Sequence, residues 1–173
     1  EDFASLAGRT PQTHGEHYKY LGNYVEIFQL LKKYVPAYAV EAPKLLKLLM
    51  FNYLFSNGDA HFKNFSLTET GMGDFKLSPA YDLLNTSIHI NDNIFALEDG
   101  LLPKALAKGK IAAQFRILSE QAEIKSLIFE EILSEMLSYS TEIEDLISRS
   151  FLIEKTKRNY LQAYQGRLKQ LGK

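Results

Sequence analysis

The sequence has no cysteine, and glycine and proline are scarce, with ten and five among its 173 residues. Without cysteine the chain forms no disulfide, no thiolate zinc site and no cysteine nucleophile, which fits a reducing compartment such as the cytoplasm. The scarcity of glycine and proline excludes collagen-like and low-complexity chains. Hydrophobic residues make up 46% and charged residues 24% of the chain, the composition of one soluble globular domain.

A large net charge and a long apolar run are also missing. The formal charge is −1, which excludes a general binder of nucleic acid or of anionic membranes. The most apolar stretch, residues 45–55, is interrupted by Lys47 and Asn52 and is shorter than the roughly 20 residues of a membrane span. We therefore expect the chain to bind neither a membrane nor, directly, a nucleic acid. The first residues show no signal-peptide pattern. Because the chain opens on Glu1 and not on Met, we also expect it to be a piece of a longer protein.

Helical periodicity dominates the first third of the chain. Residues 23–34 carry an apolar stripe of helical period, and Pro36 is expected to end that helix. Pro43 is expected in the first turn of the next helix, where its missing N–H costs nothing. Nearly every position from 44 to 56 is apolar, which predicts a helix that is buried almost all round. The Asn-Gly pair at 57–58 is expected to end it.

The middle of the chain has a different pattern. Two short alternating segments, residues 65–67 and 75–77, flank a glycine-containing turn and predict a small β-hairpin. Residues 85–100 are rich in Asn and Asp and predict a loop with a short strand at 94–97. The fold class is therefore mainly α, with one small β-hairpin.

The last third is expected to be helical from Pro103 to the end. Breaks are predicted near residues 121–123, at residues 141–144, where Thr-x-x-Glu is a capping-box pattern, and near Ser150. Between residues 130 and 145 there are six acids and no base, and from 155 onward six bases and no acid. Two terminal helices of opposite sign packed antiparallel would explain this separation, and so would two independent solvated faces.

Residue types that carry chemistry concentrate in one loop, Asn-Gly-Asp-Ala-His-Phe-Lys-Asn at residues 57–64, directly after the buried helix. Asn64 stands just before the predicted hairpin, and Asp82 follows it. Because a hairpin returns the chain to its starting end, we expect Asp82 to lie close to Asn64 and Asp59. Two carboxylates and a carboxamide form an oxygen-rich site suited to a hard cation such as Mg²⁺.

The interval Asp59-x-x-x-x-Asn64 is that of the protein-kinase catalytic loop. In that arrangement the Asp accepts the proton of the attacking hydroxyl, the Asn holds a metal, and a second Asp beyond a hairpin holds the metal that bridges the β- and γ-phosphates. Asp59, Asn64 and Asp82 fill these roles in that order. Lys63 lies on the same loop, where its charge would offset that of the transferring phosphoryl group.

Residues 51–67, with the pattern Asn-x-Asp-x-His-x-Lys-Asn, and residues 77–84, with Ser-Pro-x-Tyr-Asp, closely resemble the C-terminal domain of the HipA-like kinases. The opening Glu-Asp-Phe, the Lys-Tyr pair at 19–20 and the Arg-Leu pair at 167–168 also match family positions, so the resemblance covers most of the chain. It implies the helical C-lobe of a protein-kinase-like fold with a small β-hairpin beside the catalytic loop.

The resemblance also implies a function. Such proteins are bacterial serine/threonine kinases, typically the toxin of a toxin–antitoxin pair, restrained by a DNA-binding antitoxin of HipB type and able to target an aminoacyl-tRNA synthetase. Carried over by motif, Asp59 is the catalytic base, and Asn64 and Asp82 are the Mg²⁺ ligands next to ATP. His61 and Lys63 shape the loop, His61 on the nucleotide side and Lys63 on the catalytic side.

One part of a kinase is missing from the sequence. No Gly-rich phosphate loop occurs, since the close glycine pair Gly71-x-Gly73 falls in the hairpin turn, and no strand with a phosphate-pairing lysine precedes the catalytic loop. We therefore expect residues 1–173 to be a C-terminal lobe whose N-terminal, ATP-covering lobe lies elsewhere. The isolated chain is then expected to bind ATP poorly and to transfer phosphate negligibly.

The sequence is also compatible with two other functions and with purely structural roles for several of these residues. Asp59, His61 and Asp82 could form part of a metal-dependent hydrolase site, and the whole chain could be a helical interaction module without catalysis. His61 could simply be a structural loop histidine, and Asp82 could cap a helix beginning at Leu83. The other histidines show no metal-ligand spacing and are expected at the surface, and the tyrosines of residues 18–38 are expected in core and rim packing.

Overall fold

The computed structural model describes residues 1–90 and 93–173. In this part the chain is mainly helical with a two-stranded antiparallel hairpin, which confirms the predicted fold class. None of the described helices is long and apolar enough to cross a lipid bilayer. The helices are α1 (Phe3–Leu6), α2 (Pro11–His14), α3 (Tyr24–Tyr34), α4 (Tyr38–Leu54), α5 (Ile111–Gln121), α6 (Ser126–Ser138), α7 (Ser140–Arg149) and α8 (Glu154–Leu171), with 3₁₀ turns at Tyr18–Tyr20, Phe62–Asn64 and Thr86–Ile88.

Helix α4 is the central element of the core. It packs against α3, α6, α8 and the hairpin, and it is buried along most of its length, as predicted. Each leucine that it removes from water contributes about 1.5–3 kcal/mol to folding. Its buried apolar residues are Ala42, Leu45, Leu46, Leu49, Met50, Tyr53 and Leu54.

Helix α4 begins earlier than the sequence predicted. Its first residue is Tyr38, so Pro43 lies inside the helix and not in its first turn. A proline in this position removes one backbone hydrogen bond of the helix. The turn before the proline is held by tertiary contacts, since Ala42 is buried and the Tyr38 hydroxyl donates to the Ala122 carbonyl at 2.7 Å. These contacts explain why the helix extends past the locally preferred start.

Helix α3 occupies the predicted residues because its start is capped from both directions. The Asn23 side chain accepts a hydrogen bond from the Val25 N–H, and Glu26 Oε1 accepts from the Asn23 N–H at 3.0 Å. Gly22 precedes the cap with φ +84°, and a β-carbon there would collide with the Glu26 carboxylate. The helix ends at Tyr34, just before Pro36, as expected.

The hairpin consists of β1 (Leu67–Glu69) and β2 (Phe75–Leu77), paired antiparallel with Leu67 opposite Leu77. The first strand starts two residues later than predicted. The residues just before it pair with the chain start instead: the Phe3 N–H donates to the Phe65 carbonyl at 3.1 Å, and Asp2 and Ser66 form an antiparallel bridge. The beginning of the chain therefore lies beside the hairpin.

The prediction of a strand at residues 94–97 is wrong, because these residues form a succession of bends. Phe95 inserts its ring among core aromatics, with its centroid 5.8 Å from that of Tyr53 and 6.0 Å from that of Tyr24. The following backbone is held by the Glu98 N–H, which donates to the Tyr20 carbonyl at 2.9 Å. Phe95 therefore contributes to core packing, and the apolar side chains of residues 94–97 do not indicate a strand of a sheet.

The carboxy-terminal part is helical with the predicted breaks, although it starts later than expected. Residues 103–110 form turns, so the prediction of helix directly after Pro103 is wrong, and α5 starts at Ile111. The capping box predicted at Thr141 does not form, because α7 already begins at Ser140 and its N-cap, Tyr139, has no capping side chain.

Helices α7 and α8 pack antiparallel. Gln165 donates to Glu144 at 2.9 Å at one end of the pair, and Lys157 Nζ donates to the Ser148 carbonyl at 2.8 Å near the connecting turn. Among the described residues, however, no ion pair joins the acidic run to the basic end. Glu130 and Glu135 pair instead with bases of other helices, namely Arg116 and Lys47.

Stability is expected to fall at alkaline pH because of the buried tyrosines. Burial raises the pKa of Tyr24 far above 10, and burial together with Glu123 raises the pKa of Tyr38 to about 12. The unfolded chain loses these protons near pH 10, whereas the folded chain keeps them. The stabilisation is therefore complete below pH 10 and is lost as the pH rises above it, by up to about 1.4 kcal/mol per pH unit for the fully buried Tyr24. Thermal melting between pH 8 and 11.5 measures this loss.

Tyr24→Phe provides the comparison for that experiment. Its melting temperature is expected to fall less steeply above pH 10 than that of the natural chain, although the variant loses the hydrogen bond from the Tyr24 hydroxyl to the Ala60 carbonyl. A melting temperature that stays constant up to pH 11.5 would contradict the prediction.

Candidate catalytic and metal site

The site begins where α4 stops. Ser56 adopts a left-handed conformation with φ 59°, its N–H donates to the Tyr53 carbonyl at 3.2 Å, and the Asn57 N–H donates to the Asn52 carbonyl at 2.9 Å. These two bonds form a Schellman motif. The helix therefore ends at Leu54, three residues before the Asn-Gly pair that the sequence indicated. The chain then reverses at Ser56 into the loop of residues 57–64, called the catalytic loop below.

Asn57 is the hub that joins the catalytic loop to the segment after the hairpin. Its buried side chain donates from Nδ2 to Asn52 Oδ1 at 2.9 Å and to the Asp82 carbonyl at 3.1 Å. Its Oδ1 accepts from the Asp59 N–H at 3.2 Å. One carboxamide thus fixes both Asp59 and Asp82 to the end of the central helix.

The structure brings Asp82 beside Asn64, as the hairpin topology predicted. Asn64 Nδ2 donates to Asp82 Oδ2. The Asp82 backbone lies in the left-handed region with φ 55°, a conformation that aspartate tolerates better than most residues but that still costs free energy. The alternative role of Asp82 as a helix cap is wrong, because no helix starts at Leu83; the next helical turn is the 3₁₀ turn Thr86–Ile88.

Asp59 is oriented by a residue that sequence reasoning did not connect with it. The Tyr20 hydroxyl donates to Asp59 Oδ1 at 2.8 Å, whereas Asp59 Oδ2 lies 3.9 Å from His61 Nε2. The Asp59 side chain is 42% exposed, so its second oxygen remains reachable from solvent. The Lys-Tyr pair at 19–20 matches the family pattern, but nothing in a separation of 39 residues indicates the contact.

His61 is a buried loop histidine. The edge of its ring meets the Tyr20 ring with centroids 5.1 Å apart, and its backbone N–H donates to Asn64 Oδ1 at 3.1 Å. Its Nδ1 is a buried side-chain atom without a hydrogen-bond partner among the described residues. Burial, and then the charge of Lys19, lowers the pKa of His61. The ring is therefore neutral near pH 7, which avoids competition for the Asp59 carboxylate.

Lys63 points to the start of the chain. Its ammonium group lies 3.2 Å from Asp2 Oδ2, and this hydrogen-bonded pair raises the pKa of Lys63. The backbone around it is held by the Tyr81 hydroxyl, which donates to the Lys63 carbonyl at 2.7 Å. At 43% exposure the lysine side chain has room to turn toward a phosphate.

Thr86 is a second residue that the sequence did not single out. Its buried hydroxyl oxygen accepts from the Gly58 N–H at 2.9 Å, and its backbone N–H donates to the Ser56 carbonyl at 3.1 Å. The segment after Asp82 is thus attached to the catalytic loop at two places. Together with Asn57, this attachment makes the loop and the Asp82 segment one rigid unit.

The donor set fits a hard cation of the Mg²⁺ type. Asp82 supplies a carboxylate, and Asn64 Oδ1 has a second lone pair in addition to the one that accepts from His61. Two protein oxygens suffice for Mg²⁺ when water and phosphate complete the shell. By contrast, the described residues contain no group of three His, Cys, Asp or Glu side chains that could hold a metal, so the geometry gives no support to a hydrolase site of Asp59, His61 and Asp82.

A cavity of about 970 Å³ opens beside Asp59. Gly58 and Asp59 of the catalytic loop form part of its wall, and Tyr20, Phe95 and Gln170 line other parts. The cavity is large enough for a peptide segment, since ligand pockets commonly measure about 300–1,000 Å³. A group that enters it reaches the Asp59 carboxylate.

Asn57→Ala is expected to lower the free energy of unfolding by about 2–4 kcal/mol. The change removes three hydrogen bonds of a buried side chain and leaves Asn52 Oδ1 and the Asp82 carbonyl without this donor. Chemical denaturation of the natural and variant chains measures the difference. The matched comparison is Gln114→Ala, whose amide donates an exposed hydrogen bond to the Gly109 carbonyl. A loss below 1 kcal/mol for Asn57→Ala would contradict its role as the hub.

Comparison with known proteins identifies the family to which this sequence is similar. The family model for the HipA-like C-terminal domain matches residues 1–143. "Putative kinase Y4mE" of Sinorhizobium fredii is 37% identical over 90 residues, which cover 50% of this chain and 20% of that protein. "Putative kinase Y4dM" of the same organism is 35% identical over 115 residues, 65% of this chain and 27% of that protein.

A longer but weaker match and a solved structure extend the comparison. A "Putative kinase" of Haemophilus influenzae is 24% identical over 162 residues, 84% of this chain and 47% of that protein. The complex of the toxin–antitoxin system HipA and HipB with its operator DNA from Shewanella oneidensis contains a chain that matches with a TM-score of 0.59 and 18% identity. This match covers 87% of the present chain and 36% of the other, and it shows a shared kinase-like fold. The present chain thus spans less than half the length of these relatives.

Proposed function

The chain belongs to the family of HipA-like C-terminal domains, and from this membership we propose that it is the catalytic lobe of an ATP-dependent serine/threonine protein kinase. The observation that carries the proposal is the convergence of Asp59, Asn64 and Asp82. The two metal-ligand candidates touch each other, and Asn57 ties Asp59 and Asp82 to the same helix end. The names of the relatives support kinase membership, and the serine/threonine acceptor is our inference.

Asp59 acts as the general base in this proposal. An acceptor hydroxyl enters from the cavity and donates its hydrogen bond to the exposed Asp59 oxygen, Oδ2, while Tyr20 holds Oδ1. As the hydroxyl oxygen attacks the γ-phosphorus in line, its proton passes to Asp59, and the bond from the phosphorus to the ADP oxygen breaks. Catalysis then rests on positioning and on neutralising charge.

Asp82 and Asn64 would hold Mg²⁺, which neutralises charge on the ATP phosphates when bound. To hold the cation, Asp82 would give up the hydrogen bond that it accepts from Asn64 Nδ2. His61 keeps Asn64 in place through its backbone N–H and borders the nucleotide. Lys63 leaves Asp2 and turns toward the transferring phosphoryl group, which carries more negative charge than one carboxylate.

The remainder of the kinase is also part of the proposal. The lobe that covers the ATP phosphates is supplied by a segment outside these 173 residues, since the sequence has no Gly-rich phosphate loop and the chain matches only a part of each relative. We further propose a cytoplasmic toxin kinase restrained by a DNA-binding antitoxin of HipB type, a pairing that the complex from Shewanella oneidensis supports by analogy. An aminoacyl-tRNA synthetase is the proposed class of target.

Transfer of radiolabelled γ-phosphate tests the proposal directly. The full reading frame that contains this sequence is expected to label a serine or threonine of a protein substrate when Mg²⁺ and ATP are present. The isolated 173-residue chain is expected to bind Mg-ATP weakly and to transfer negligibly. Hydrolytic activity without ATP would support a metal-dependent hydrolase instead, and antitoxin binding by the full-length protein without any phosphotransfer would support a helical interaction module.

A further inference from the structure

We propose that Tyr20 is the positioning residue of the catalytic base and that its hydroxyl fixes which oxygen of Asp59 receives the substrate proton. This inference rests on the proposed function of Asp59. A carboxylate on a loop rotates about its last side-chain bond unless a donor holds one oxygen. Here the Tyr20 hydroxyl holds Oδ1 at 2.8 Å.

Tyr20 itself is held from several directions. Its carbonyl accepts from the Glu98 N–H at 2.9 Å, and its own N–H donates to the His17 carbonyl at 2.9 Å within the 3₁₀ turn. The ring packs edge-on against His61, and the Lys19 ammonium group lies 4.9 Å from the ring centroid. A hydroxyl on such a fixed ring imposes a direction on Asp59 and does not merely follow it.

The other oxygen of Asp59 is left for the reaction. Oδ2 lies 3.9 Å from His61 Nε2, which is beyond hydrogen-bond distance. Both Tyr20 and Asp59 line the cavity from which the acceptor arrives. The arrangement therefore divides the carboxylate into one anchored oxygen and one reactive oxygen.

Tyr20→Phe tests the proposal because it removes the hydroxyl and keeps the ring that packs on His61. In the full-length kinase we expect kcat to fall about 10- to 100-fold, since a hydrogen bond to a charged group is lost. KM for ATP is expected to stay within about twofold of the natural value, because Tyr20 is not proposed to contact the nucleotide. Tyr34→Phe, which removes a hydroxyl from the end of α3, is the matched control and is expected to keep full activity.

A double-mutant cycle separates positioning from a general structural role. In an Asp59→Asn background, Tyr20→Phe is expected to change the residual rate by less than about twofold, because no base remains to be positioned. An equal loss in both backgrounds, or unchanged kcat in Tyr20→Phe alone, would overturn the inference and leave the proposed function intact. Full transfer by Asp59→Asn would overturn both. Melting temperatures of all variants show whether each is folded.

Discussion

Asp59→Asn is expected to lower phosphoryl transfer by the full-length kinase about 10²- to 10⁴-fold, the contribution of a positioned general base. Asparagine has the same shape as aspartate, and its Oδ1 can still accept from the Tyr20 hydroxyl. The backbone N–H at position 59 can still donate to Asn57 Oδ1. The variant therefore loses the proton acceptor and keeps the surrounding contacts, so the loss is expected in kcat, with KM for ATP nearly unchanged.

Charge removal elsewhere provides the control for this experiment. Asp145→Asn removes one carboxylate from α7, where Asp145 pairs with Arg149 on the protein surface, and it is expected to keep full activity. Raising the Mg²⁺ concentration is not expected to restore transfer by Asp59→Asn, because Asp59 is not proposed to bind the metal. Undiminished phosphorylation of the protein substrate by Asp59→Asn would remove Asp59 as the base.

The acidic and amide residues of the site could be predicted from the sequence because their placement depends on local structure. Asp59 and Asn64 share one loop, and a short hairpin of known return direction brings Asp82 back to Asn64. The contact between Asn64 and Asp82 confirms this reasoning. Only the pairing of residues 1–3 with residues 65–67 altered the predicted strand, and it left the end of the hairpin where it was expected.

The contacts that orient the site could not be predicted in the same way, because they join distant segments. Tyr20 reaches Asp59 across 39 residues, and Thr86 reaches Gly58 across 28. Neither contact leaves a periodicity or spacing signal in the sequence. The left-handed backbone of Asp82 was also not predictable, since no glycine or asparagine marks that position.

The errors in the predicted fold also arise from contacts between segments that are distant in the sequence. The segment at residues 94–97 has the composition of a strand, but among residues 1–90 and 93–173 the one sheet consists of β1 and β2 alone. The Phe95 ring packs in the aromatic core instead. Pro43 carries a strong local signal for a first helical turn, yet α4 extends beyond it to Tyr38. In both places tertiary packing outweighs the preference of a few residues.

Asp82→Asn is expected to produce the second large effect, a loss of about 10²- to 10³-fold in transfer at millimolar Mg²⁺, because a cation that stabilises the reaction by several kcal/mol loses its charged ligand. Asparagine tolerates the left-handed backbone at this position and can still meet Asn64, so the fold is expected to survive. Unlike Asp59→Asn, this variant is expected to recover part of its activity as the Mg²⁺ concentration rises, since weaker binding is offset by mass action. A titration of the transfer rate against Mg²⁺ for both variants distinguishes the two roles. Two results would show that the base and the metal ligand have been assigned to the wrong carboxylates. One is recovery of activity by Asp59→Asn, and the other is a Mg²⁺ dependence of Asp82→Asn identical to that of the natural protein.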